Sequence, residues 1–308
     1  MNPNLIYCLM GPTASGKSAL AVELTKKFPF HIISVDSALV YRDLNIGTAK
    51  PSQQELAETP HELINICLPT EIYSAGQFCL DATEAIQKIQ AAGKIPLLVG
   101  GTMLYFHSLQ FGLTELPKAD QLLRAKISAH AKQLGWAKLH EQLQQVNPLR
   151  ASQIHPNDAQ RIQRALEIYY LMETKSQSDR QPISPVPANN YVNLMIVPRD
   201  REQLKERIRH RFMHMLDAGF LAEVQALKAM PGIQIDLPAL RAVGYRQMWQ
   251  HLAGQIDWQE MCERSIIATN QLAKRQLTWL RRWQTGVCFA CEDPKLVFKI
   301  SDCINEIV

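Results

Sequence analysis

Eight consecutive residues near the amino terminus have the types and spacing needed to hold a phosphate chain. Gly11, Pro12, Thr13, Ala14, Ser15, Gly16, Lys17 and Ser18 match G-x-x-x-x-G-K-S/T at every fixed position. In that pattern backbone N–H groups converge on an anion at the start of a helix, the lysine adds a point charge and the last hydroxyl can ligate Mg²⁺. Asp36 ends the next apolar run, where a carboxylate can orient or deprotonate a nucleophile, or simply cap a helix. Gly100, Gly101 and Thr102 close a third apolar run. Glycines there let the backbone approach a ligand, or make a tight turn. A strand of four consecutive hydrophobics followed by Asp, the Mg²⁺ holder of nucleotide hydrolases, is not evident, and no guanine-reading motif stands out. A diphosphate that is not part of a nucleotide is therefore a candidate ligand beside ATP.

Basic residues recur along the rest of the chain. Arg161 and Arg164 are three apart on one helical pattern and share a face. Arg207 and Arg211 are four apart, so either one can turn toward a phosphate. Arg241 to Arg246 form a basic and aromatic cluster around a glycine. Lys274-Arg275 and Arg281-Arg282 recur seven apart, with Trp279 between the pairs and Trp283 just after them. Such stripes suit phosphate tracking and base stacking on single-stranded nucleic acid, although each alone reads as a solvated surface. Cys288 and Cys291 have zinc-knuckle spacing, but no second pair follows to complete four ligands.

The elements that must position these residues alternate in the first hundred positions. Apolar runs at 5–10, 31–35 and 95–99 are separated by helical patterns, including one over 75–92 that stops at Gly93. Together with the phosphate loop this predicts an α/β fold, a P-loop NTPase-like parallel sheet core flanked by helices. From residue 117 long helical patterns take over, at 118–146 and from Asn157-Asp158 to about 173. A proline-rich linker is expected over 182–190, a further strand at 193–197, and helices near 201–218, 221–229 and 258–283. The expected domains are a catalytic core, 1–115 with 192–308, and an all-helical insertion, 116–191.

Composition narrows the class. With 46% hydrophobic and 20% charged residues, the 308-residue chain is an ordinary globular one. The most apolar stretch, 95–106, is too short to cross a membrane, and the amino terminus lacks a basic lead. Seven cysteines at irregular spacing suggest reduced thiols and a cytoplasmic protein. Net charge is −2 over 1–110 but +8 over 111–282, which favours a polyanionic partner.

Six stretches carry a family likeness: GPTASGKS (11–18), ISVDSALVYRDLNIGTAKP (33–51), PLLVGGTMLYF (96–106), PNDAQRIQRALE (156–167), RAVGYRQM (241–248) and QLAKRQLTWLR (271–281). In this order they resemble the bacterial tRNA dimethylallyltransferases, also called tRNA isopentenyltransferases. The resemblance implies transfer of the dimethylallyl group from dimethylallyl diphosphate to N6 of adenosine 37. That base lies next to the anticodon of tRNAs reading codons that begin with U, and pyrophosphate is released. It makes Asp36 the carboxylate that orients N6. Lys17, Ser18, Mg²⁺ and Arg211 would stabilise the departing diphosphate, with Arg211 preferred to Arg207 by its place ahead of Phe212 and Met215. Thr102 would sit at the mouth of the reaction channel.

By the same resemblance the tRNA anticodon loop would touch Asp36, Ser37, Ala38, Leu39, Thr102 and Arg124, together with Gln160, Arg161, Ile162, Gln163 and Arg164. It would also touch Arg241, Ala242, Val243, Gly244, Tyr245 and Arg246, and then Lys274, Arg275, Gln276 and Arg281. A monomer suits this picture. Three rivals remain at this point: a small-molecule kinase using ATP at the same loop, a relative making free dimethylallyl-AMP, and an RNA-binding module with a vestigial loop.

Overall fold

The computed structural model describes residues 4–112, 117, 119–173 and 191–307; the proline-rich stretch expected as a linker lies outside them. Two compact units part at 111 and 184, where the sequence places the junctions at 115 and 191. The larger unit comprises 1–111 and 185–308; the smaller is 112–184.

The larger unit is built on a parallel sheet. Its strands are β1 (Ile6–Met10), β2 (Phe30–Val35), β3 (His61–Glu62), β4 (Ile95–Gly100), β5 (Tyr191–Val197) and β6 (Val287–Ala290), in the order β3-β2-β4-β1-β5-β6. All five neighbouring pairs run parallel. The helices between and after them are α1 (Lys17–Lys27), α2 (Gln53–Glu58), α3 (Ala75–Ala91) and α4 (Met103–Phe111). Alternation along the strands sends Tyr7, Leu9, Ile32, Leu97 and Val99 to one face, where they join Leu20 and Leu24 of α1 in one core cluster. Their neighbours Cys8, Met10, Ile33 and Leu98 are just as buried on the opposite face. Burial on both faces explains why these strands read as continuous apolar runs.

Register fixes where the chemistry emerges. Val35 pairs with Gly100, and Gly100 pairs with Met10. The next residues of the three strands, Gly11, Asp36 and Gly101, therefore leave the sheet side by side at one edge, where ligands collect in open α/β sheets.

The smaller unit is helical: α5 (Gln121–Leu134), α6 (Trp136–Val146), α7 (Pro148–Ala151) and α8 (Ala159–Glu173). Asp120 caps α5, Gly135 turns the chain at φ 82°, and Asn147 caps α7. Ile127, Leu139, Leu143, Ile162 and Leu166 form its core.

The chain of the larger unit ends in α9 (Arg201–Asp217), α10 (Phe220–Ala229), a 3₁₀ turn (Ala239–Arg241), α11 (Tyr245–Leu252), α12 (Trp258–Arg281) and α13 (Leu296–Ile307). Phe212, Met215, Phe220, Tyr245 and Met261 from this part bury against Val40, Tyr41 and Leu44, which follow Asp36. Ile300 and Ile304 of α13 join the sheet core beside α1. Sequence patterning gives no sign of β3, β6, α4, α11 or α13. Gly244, at φ 94°, starts α11 within the basic and aromatic cluster of 241–246. No helix among the described residues is long and apolar enough to cross a membrane.

Candidate active site

The phosphate loop holds its own shape. Ser15 Oγ donates to the Pro12 carbonyl at 2.9 Å, and Lys17 Nζ donates to the same carbonyl at 2.6 Å. Gly16 enters α1 at φ 82°, in the left-handed region that favours glycine. A Cβ on Gly11 would stand 2.6 Å from the Ile196 carbonyl, so this position admits no side chain without a shift of β5.

Asp36 and Thr102 are tied together at the adjacent strand ends. Asp36 Oδ1 accepts from the Ala38 N–H at 2.8 Å, and the Ser37 N–H donates to Thr102 Oγ1 at 3.0 Å. The Thr102 N–H in turn donates to the Val35 carbonyl at 3.2 Å. The loop that continues past Asp36 is anchored by Glu223. Its carboxylate accepts the N–H groups of Asn45, Ile46 and Gly47 and the Tyr245 hydroxyl. A Cβ on Gly100 would strike the Val35 carbonyl, and one on Gly101 would strike the Gln276 amide. Both glycines therefore make room for protein.

These pieces line a single cavity of about 840 Å³, within the size of small-ligand sites. Its lining includes Thr13 to Ser18, Asp36 to Leu39 and Gly100 to Thr102. The charged groups on its wall are Lys17, Arg207, Arg211, Arg241 and Arg275 against Asp36. A cavity so positive favours a polyanion. Burial pushes the Lys17 ammonium down to about 8, a push that Asp36 opposes and Arg211 reinforces. Burial also lowers Arg211, again opposed by Asp36. Arg207 also borders the cavity, but its Nη1 lies 3.6 Å from Cys291 Sγ. The electrostatic coupling to Lys17 and Asp36 thus singles out Arg211. The cavity also has an apolar side, formed by Ile208, Phe212, Met215, Phe220 and Leu272.

Not every expected contact residue faces outward. Three side chains named for RNA contact are turned into the protein. Ile162 and Tyr245 are 0% exposed within their cores, and Gln276 is 8% exposed with both ends of its amide bonded. Arg124 and Arg164 clamp the fully buried Glu167 at 2.9 and 2.6 Å, while Gln163 donates to Ser128 Oγ and the Arg124 carbonyl. Burial alone would raise the Glu167 carboxyl, but the two guanidinium groups and the Asp120 N–H hold it below the usual range. Gln160, Arg161, Arg241, Arg246, Lys274, Arg275 and Arg281 are exposed, as is Ser37. Ala38, Leu39, Ala242 and Val243 are half-buried, and Gly244 is buried.

Cys288 lies on β6 and Cys291 just beyond it. His210 and His214 stand four apart on α9, both exposed. Among the described residues no group of three or more His, Cys, Asp or Glu is placed to hold a metal.

Residues 39–283 match the family model described as IPP transferase. The chain is 52% identical over 312 residues to the tRNA dimethylallyltransferase of Coxiella burnetii, spanning 100% of this chain and 99% of that protein. The chain belongs to the tRNA dimethylallyltransferase family. A relative from Legionella pneumophila is 51% identical over 304 residues, across 99% of this chain and 97% of its own length. The full-length tRNA isopentenylpyrophosphate transferase of Bacillus halodurans has the same fold, with TM-score 0.71 and 33% identity over 98% of this chain and 96% of that one. A eukaryotic dimethylallyltransferase acting on tRNA gives TM-score 0.77 and 25% identity, over 98% of this chain and 78% of that one. Membership of the tRNA dimethylallyltransferases places the chain among prenyltransferases and sets aside both the small-molecule kinase and the vestigial module.

Proposed function

We propose that this chain transfers the dimethylallyl group of dimethylallyl diphosphate to N6 of adenosine 37 in tRNAs that read codons beginning with U. The products are N6-dimethylallyladenosine and pyrophosphate. The observation that carries this reading is the meeting of Asp36 with Lys17 and Arg211 in one cavity.

The exocyclic N6 is a poor nucleophile, because its lone pair is delocalised into the ring. Asp36 keeps one carboxylate oxygen on its own turn. The other would accept a hydrogen bond from N6–H, orient the amine and take its proton as the new C–N bond forms. The allylic C–O bond breaks, and charge grows on the leaving diphosphate. Lys17, Arg211 and the N–H groups at the start of α1 stabilise that charge from fixed positions. The apolar side near Phe212 and Met215 suits the hydrocarbon.

The residues fit Mg²⁺ as a cofactor. Ser18 presents an exposed hard oxygen donor on the cavity wall. A protein cage is not required, since this ion commonly takes its remaining ligands from phosphates and water. When bound, it supplies further neutralisation of the leaving group.

Exposed Arg241, Lys274, Arg275 and Arg281 support contact with the tRNA anticodon loop, whose phosphates they can neutralise. A base there is partly unstacked already, so drawing it into a cavity costs about a few kcal/mol. Incubation with Mg²⁺, labelled dimethylallyl diphosphate and unmodified tRNA should place label in an adenosine after digestion. Phosphoryl transfer from ATP to a small alcohol, with unlabelled RNA, would refute the reading.

A further inference from the structure

Gln276 occupies a position that none of the chemistry above uses. It stands on the inner side of α12, three residues after Ala273 and four before Leu280, and all three are buried. Its Oε1 accepts from the Thr13 N–H of the phosphate loop at 2.9 Å. Its Nε2 donates to the Gly101 carbonyl at 2.8 Å. One amide thus bridges two loops that lie 263 and 175 residues away in sequence.

The bridge continues to the carboxylate. Thr102, next to Gly101, is bonded to Val35 and Ser37 on either side of Asp36. Gly101 must lack a side chain for the amide to reach its carbonyl, since a Cβ there would strike Gln276 Nε2. A side-chain amide offers a donor and an acceptor side by side at a fixed separation. Loss of the second bond strands the buried Gly101 carbonyl. On the same helix Arg275 and Trp279 line the cavity, and Lys274 is exposed.

We propose that Gln276 is a positioning residue for prenyl transfer: its amide sets the phosphate loop against the turn that carries Thr102 and braces Asp36. This rests on the proposed transfer reaction. Small misplacements between reacting groups can cost about 100-fold in rate. The distance between leaving group and base depends on this bridge, and the helix that supplies it also carries the outward-facing basic residues.

The test compares Gln276→Met, which keeps length but has no hydrogen bonds, and Gln276→Glu with the wild type. Wild-type transfer is measured first; its absence overturns the reaction itself and not the role of Gln276. With transfer established, Gln276→Met should lower kcat by about tenfold or more while the Kd for unmodified tRNA changes by less than about twofold. Equal losses in both would make Gln276 an RNA contact, and an unchanged kcat would remove it from the machinery.

Gln276→Glu supplies a readout that a fold defect does not mimic. Ionised, a carboxylate cannot donate to Gly101; protonated, it restores both bonds. Its kcat relative to wild type should rise as pH falls from about 8.5 to about 6, while the ratio for Gln276→Met stays flat. Lys17, Asp36, Arg211 and Arg275 line the same cavity in all three proteins, and the uncharged Gln276→Met serves as the reference for them. A flat ratio for Gln276→Glu overturns the proposal.

Discussion

At the scale of single residues, the site combines two desolvated cations with one carboxylate, and each has a separable signature. Asp36→Ala is expected to lower kcat by about 10²–10⁴-fold while tRNA still binds, as judged by single-turnover kinetics and filter binding. Lys17 titrates near 8 in the free protein against 10.5 for an unperturbed lysine, because burial disfavours its charge. A bound diphosphate favours the charged form, so donor affinity should fall as pH rises above about 8. Calorimetry in buffers of different ionisation enthalpy should then show proton uptake on binding. The sign for stability is opposite: the ionised Lys17 disfavours folding below about 8, and that cost fades between about 8 and about 10.5. Lys17→Met should therefore raise the Tm of the free protein at pH 7 while abolishing donor binding. Arg211→Gln should cost more in kcat than Arg207→Gln, since Arg211 is the one coupled to Lys17 and Asp36. Equal effects on kcat would contradict that assignment.

At the scale of elements, α12 separates its work by face. Ala273, Gln276 and Leu280 turn inward, while Lys274, Arg275 and Arg281 remain exposed. Lys274→Ala should weaken tRNA binding and reduce the slope of log K against log salt by about one counterion, with kcat at saturating RNA unchanged. The sequence displays both faces, but a rule that collects basic and aromatic neighbours takes the whole stretch as surface. The 273, 276, 280 spacing is a helical stripe, and a polar residue on such a stripe signals a buried bond rather than a contact. Tyr245 was hidden in the same way. Gly244 opens a helix there, and Tyr245 becomes its first residue, buried against Phe220.

At the scale of the whole molecule, the two compact units rest on different interactions. The larger is held by a sheet buried on both faces, the smaller by helix packing around Glu167 and its two arginines. Glu167→Gln should destabilise 112–184 by about 2–3 kcal/mol, less than a fully dry pair, because both arginine side chains are 31% exposed. Hydrogen exchange should show faster amides in α5 and α8, with the protection of β1 and β4 retained. The sequence by itself determined the phosphate loop, the strand-end carboxylate and the parallel α/β core, because each depends on neighbours a few residues away. Tertiary structure alone decided that Glu223 anchors the loop after Asp36 and that Gln276 bonds Thr13 and Gly101. Those contacts join residues more than a hundred positions apart. They depend on strand register and on where each helix docks, and no local periodicity encodes either.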